Sequence, residues 1–167
     1  TVIPAVSIVA SSTSICAGGS VTFTATPVNG GAAPTYQWQI NGANVAGQTA
    51  SAFTSATLNN NDVVTVIMTS NDPCANPTTA NSNNVTVTAT TTATPTVNVT
   101  QPDCVVATGT ITVAAPLGAG FTYSIDGITY TNTTGVFAAV APGNYNVTVR
   151  NAAGCTSAAT PVTINAQ

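Results

Sequence analysis

A chain of 167 residues has room for one domain or two small ones, and this one carries almost no charge: Asp62, Asp72, Asp103, Asp126 and Arg150, for a net charge of −3. Charged residues make up 3% of it, against about a quarter in ordinary soluble domains. Nucleic-acid binding is excluded because nothing neutralises phosphates, attraction to anionic lipid fails for the same reason, and no apolar run reaches the roughly 18 residues of a membrane span.

In chain order, residues 1–90 read as short alternating strands separated by turn signals, the pattern of an all-β sandwich. Val6 to Ala10 opens the series. Ser20 to Thr26 places Val21, Phe23 and Ala25 on one face and three Thr on the other. Thr35 to Ile40 turns Tyr36, Trp38 and Ile40 inward, and Asn41-Gly42 then favours a tight hairpin, since both residues tolerate positive φ. Asn59 to Asp62 is a polar corner. Val63 to Ser70 is a nearly continuous apolar run suited to a central strand, Asn71 to Asn83 a Pro-broken loop, and Asn84 to Ala89 the closing strand.

A Thr-rich bridge, NVTVTATTTATPTVNVTQPDC (84–104), joins this half to the next. Its β-branched residues and Pro95 favour extended backbone. Residues 91–167 repeat the style. Thr110 to Ala114 alternates around Ile111 and Val113; Phe121, Tyr123 and Ile125 share a face before the Asp126-Gly127 turn into Ile128 to Thr131. Tyr145, Val147 and Val149 point inward from Asn144 to Arg150, and Val162 to Ile164 is the last strand. Nothing has helical periodicity. The reading is two tandem β-sandwich modules, 1–90 and 91–167, joined by a short extended linker. The opening Thr1 and linker-like final residues suggest a cut within a longer chain.

Domains of about 80 residues bury only about 60–65% of their unfolded surface, so covalent staples help. Four cysteines allow three pairings. The expected pairs are Cys16–Cys74 and Cys104–Cys155, one per module, each worth roughly 4 kcal/mol in the chain-entropy model. Disulfides imply an oxidising compartment. A zinc site lacks His and any CxxC spacing, and a calcium site lacks closely spaced acidic oxygens, so no metal and no cofactor are expected.

The motifs resemble a known group of proteins. ICAGGSVTFTATP, APTYQWQING and NNNDVVTVIMTSNDPC look like the Ig-like (PKD-like) repeats of long secreted surface proteins of gliding Bacteroidetes-type bacteria. DCVVATGTITV, YSIDGITY, APGNYNVTVRNAAGC and TPVTI look like the SprB-type adhesin repeat of the same proteins. The resemblance implies Ig-like/Greek-key sandwiches, export, display at the cell surface, and a role in adhesion or gliding.

Catalysis has little material, with no His, Lys or Glu to serve as general base and four scattered Asp that suit turns. Partners are therefore expected among neighbouring modules, other copies of the chain, or surface glycans. For glycans Tyr130 is the best exposed ring, the other aromatics facing inward. The function expected is a non-catalytic structural segment of an adhesin stalk or filament, stapled to carry tension. The alternatives are a self-polymerising fibre subunit through open strand edges, or a carbohydrate-binding module.

Overall fold

A computed structural model describes all 167 residues. The backbone divides into two compact units, Thr1–Thr90 and Thr91–Gln167. Neither contains a helix.

The first unit contains nine strands: β1 (Ala5–Ala10), β2 (Ser14–Cys16), β3 (Val21–Val28), β4 (Thr35–Ile40), β5 (Ala43–Asn44), β6 (Ala52–Ser55), β7 (Asp62–Thr69), β8 (Thr79–Asn81) and β9 (Val85–Thr90). One sheet runs β1-β3-β6 and the other β2-β9-β7-β4-β5, with β8 alongside β7. The two inner faces meet around Trp38, Phe23, Met68, Val64, Val66 and Val87, all fully buried. Period-two alternation of large apolar residues puts them there. Phe23, Trp38 and Phe53 form a ring cluster with centroids 5.5–6.2 Å apart, within the range favoured by aromatic pairs. The indole N–H, which a dry core would leave unsatisfied, donates to the Ala50 carbonyl at 2.9 Å. Asn41 and Gly42 have φ of 51° and 79°, the hairpin geometry read from the sequence.

The second unit contains β10 (Thr96–Thr100), β11 (Gly109–Ala115), β12 (Thr122–Ser124), β13 (Val136–Val140), β14 (Gly143–Arg150) and β15 (Thr160–Ile164). Its sheets are β10-β11-β13 and β12-β14-β15. The first unit reduces to the same connection order once its short strands β2, β5 and β8 are set aside. Both are Ig-like β-sandwiches. This second core is smaller: Ile111, Val113, Tyr123, Val140, Val147, Val149 and Ile164, with Phe121, Ile125, Phe137 and Tyr145 partly buried against it. A Cβ at Gly109 would lie 2.7 Å from the Thr100 carbonyl oxygen and 2.8 Å from Ile164. Only glycine allows that approach.

Several elements depart from the sequence reading. β2, β5, β6, β8 and β13 were not anticipated, the first four being only two to four residues long. Conversely, residues 128–131 form no strand. The Asp126 carboxylate accepts the backbone N–H groups of Ile128 and Thr129 at 2.8 and 2.7 Å. Those donors are therefore turned into the loop and withheld from a ladder.

Candidate functional site

The expected staples do not form. Cys74 and Cys104 are free and exposed, whereas Cys16 and Cys155 are disulfide-bonded. Strand direction gives the reason. β9 runs antiparallel to β7, pairing Val85 with Val64 and Val87 with Asp62, and continues past that end of β7 to place Thr90 opposite Cys16. Cys74 lies beyond the other end of β7, where its carbonyl accepts the Val2 N–H. An eight-residue strand at about 3.3 Å per residue separates them by about 25 Å or more, and a disulfide needs Cα atoms roughly 4.4–6.8 Å apart.

The second unit repeats this arrangement. Cys155 follows β14, and its carbonyl accepts the Thr92 hydroxyl at 2.7 Å. Cys104 follows β10 at the opposite end, near the start of β11, where Gln167 reaches the Val106 carbonyl. In each unit the oxidised cysteine stands at the end nearest residues 90–92, Cys16 opposite Thr90 and Cys155 against Thr92, and the free thiol at the far end. The disulfide implies an oxidising compartment, and no helix is long and apolar enough to cross a membrane.

All four aspartates are engaged in turns. Asp62 accepts the Asn59 N–H and the Asn41 amide, both at 2.8 Å, and these bonds hold its carboxyl below the usual carboxylate range. Asp72 accepts the Cys74 N–H. Asp103 accepts the N–H groups of Val105 and Val106, the Val106 bond doing most to lower it. Asp126 is lowered furthest, first by the Ser124 hydroxyl at 2.6 Å and then by the Thr129 and Ile128 N–H groups. Hydrogen bonds to the ionised form are the cause throughout. No group of three or more His, Cys, Asp or Glu is placed to hold a metal ion.

Tyr130 is not an open platform. Its hydroxyl shares a 2.7 Å hydrogen bond with Thr148, and the Arg150 guanidinium carbon lies 3.8 Å from its ring centroid. The chain's one cation therefore covers its candidate sugar-binding ring. Sequence reasoning missed this because Thr148 and Arg150 belong to β14, eighteen residues or more away. A shallow polar groove of about 300 Å³ lies along β4, β7 and β8, lined by Gln39, Thr65, Val66, Ile67, Asn81, Ser82 and Asn84. It contains no aromatic ring.

No family model matches the chain. No curated protein matches it either. Among solved structures, the three N-terminal domains of the bacteriophage RB49 Highly Immunogenic Outer Capsid protein are 18% identical with a TM-score of 0.49, over 97% of this chain and 59% of that one. The fibronectin(III)-like modules of Clostridium thermocellum CbhA are 14% identical, TM-score 0.43, over 96% and 94%. The C-terminal 282-residue fragment of intimin, solved with the intimin-binding domain of its translocated receptor, is 13% identical, TM-score 0.44, over 95% and 63%. The chain thus spans less than two thirds of the phage and intimin chains.

The two ends of the first unit's chain lie at opposite ends of its sandwich. In the first unit Val2 bridges Ala75 at one end, and Thr90 pairs with Cys16 at the other. The chain enters one end of the sandwich and leaves at the opposite end. β2 and β9 run parallel, in register from Ser14–Thr88 to Cys16–Thr90, extended by the bonds Thr88 N–H to Thr13 and Ala17 N–H to Thr90.

Proposed function

We propose that this chain is a non-catalytic, tension-bearing segment of an extracellular adhesin stalk, made of an Ig-like (PKD-like) module, residues 1–90, and a SprB-repeat-like module, residues 91–167. The parallel pairing of β2 with β9 carries this reading. When the two ends of a sandwich are pulled apart along the strands, parallel terminal strands slide against each other and all their hydrogen bonds are loaded together. In a hairpin pulled from its open end the bonds break one at a time and each bears the whole load. β1 on β3 is loaded in the same way, because Ala5, the residue nearest the pulled terminus, pairs with Val28 at the far end of β3.

The order of sequence motifs supports assignment to secreted surface proteins of gliding bacteria, and the disulfide fits export. A neutral surface of Thr, Asn and Ser suits a spacer that is not meant to attract ionic partners. The carbohydrate reading has weaker support, since Tyr130 is covered by Arg150.

Single-molecule pulling on the whole chain in reductant tests the reading. Two separate unfolding events are expected, and Ile15→Pro, which disrupts β2, should lower the force of the first unit's event while leaving the second unchanged. Equal forces with and without β2 would overturn it. Leaving out reductant should shorten the total extension.

A further inference from the structure

Edge strands expose unpaired N–H and C=O groups that invite a strand from another copy, and proteins commonly discourage this with Lys or other charges, proline, bulges or very short edges. This chain has no Lys. Some of its edges are protected in the remaining ways. β2, β5 and β12 have three residues or fewer, β10 and β13 carry register shifts, and β15 contains Pro161.

Two edges have something more. β1 is an outer strand paired only with β3. The Ser11 N–H to Thr22 bond sets the parity of that ladder, so Val6, Ile8 and Ala10 direct their backbone groups away from it. At the middle one, Ile8, the N–H donates to the Asn83 side-chain oxygen at 2.8 Å and the carbonyl accepts the Asn83 amide N–H at 3.1 Å. The side-chain amide reproduces the two-point pairing of a neighbouring strand residue. β15 shows the same device. Its Thr163 carbonyl accepts the Gln101 amide, and the following Asn165 N–H donates to the Gln101 oxygen, both at 2.9 Å. These contacts join residues more than sixty positions apart. They are independent of each other, one in each unit.

We propose that Asn83 and Gln101 are edge plugs: amide side chains that stand in for a missing strand and close β1 and β15 to strand addition by a second copy of this chain. A nearly chargeless surface has no repulsion to keep copies apart, and the plugs occupy the hydrogen-bonding groups that a second copy would use. The proposal does not depend on the tension-bearing reading.

The test uses the whole chain in four forms: wild type, Asn83→Ala, Gln101→Ala and Gln101→Lys. Amide hydrogen exchange at Ile8 and Asn165 reports whether each edge is closed, and light scattering over a concentration series reports association. Wild type should be monomeric with both amides protected. Asn83→Ala should lose protection at Ile8 and Gln101→Ala at Asn165, and both should form dimers and larger species as concentration rises. Gln101→Lys loses the plug but restores charge, so it should expose Asn165 and stay monomeric. Alanine variants that expose their edges yet remain monomeric throughout would overturn the proposal. So would association of the Lys variant equal to that of Gln101→Ala, which would trace association to general destabilisation. A wild type that already polymerises would overturn it too and favour the fibre-subunit reading.

Discussion

The two units share one strand order but hold it together differently. The first is built on aromatic packing, with Phe23, Trp38 and Phe53 in mutual contact inside two sheets. The second buries one aromatic side chain fully, Tyr123, whose hydroxyl donates to the Pro116 carbonyl, and surrounds it with Val and Ile. Its loops, like those of the first unit, are bound by polar side chains: Asp103, Asp126, Asn132 and Asn151 each accept local N–H groups. The terminal strands follow the same division. β2 and β9 pair through backbone, whereas the first and last strands of the second unit are tied by Gln101 and by the Thr160 hydroxyl on the Pro95 carbonyl at 2.6 Å. One architecture thus tolerates either a large core built on aromatic rings or a smaller one built mainly on Val and Ile.

The sharpest way to break the comparison is to remove the aromatic centre. Trp38→Ala should cost about 3–5 kcal/mol, a large share of the roughly 5–15 kcal/mol typical of a domain, and should unfold the first unit selectively. Resolved amide signals of Val66 and Ile111 report the two units separately. Equal loss at both would show that the units do not fold independently. A smaller effect is expected from the cysteines. Cys16→Ser or Cys155→Ser should cost about 2–4 kcal/mol, while Cys74→Ser and Cys104→Ser, on exposed thiols, should stay within about 0.5 kcal/mol. Native thiol titration should find two reactive groups. A similar cost at all four positions, with no thiol to titrate, would restore the one-per-module pairing.

That pairing shows what the sequence could and could not reveal. Alternation identified the inward faces because it depends only on neighbouring residues: Phe23, Trp38, Tyr123 and Val147 are buried as their strands require. Asn41-Gly42 announced its hairpin for the same local reason. The spacing of cysteines gives the length of a closed loop but not the end of the sandwich at which each sulfur emerges. That depends on the direction of β9 relative to β7 and β2, which is a long-range fact. Asn83, Gln101 and Arg150 were equally illegible. Each acts on a partner far away in sequence, and an amide that closes an edge has no different sequence signature from one exposed to water. The strands missed were mostly too short for alternation to register.

The smallest effect concerns acid. Asp126, Asp103 and Asp62 all have carboxyl groups held below the unfolded value of 3.8. For such groups the unfolded chain binds protons more readily, so their contribution to stability is complete above about pH 4 and is lost as pH falls toward the folded pKa. Two of the three lie in the second unit, which also has the smaller core, so its amide signals should fade before those of the first between about pH 4 and pH 2. Core size alone would give the same order, and Asp126→Asn separates the causes. Asparagine keeps an oxygen for the Ile128 and Thr129 N–H groups but has no charge to titrate. The second unit of that variant should therefore be slightly less stable at neutral pH and lose less on acidification, with the first unit unchanged. If the acid response of the second unit is the same with and without the charge, its sensitivity comes from the small core, and the ionised turn is only a shape.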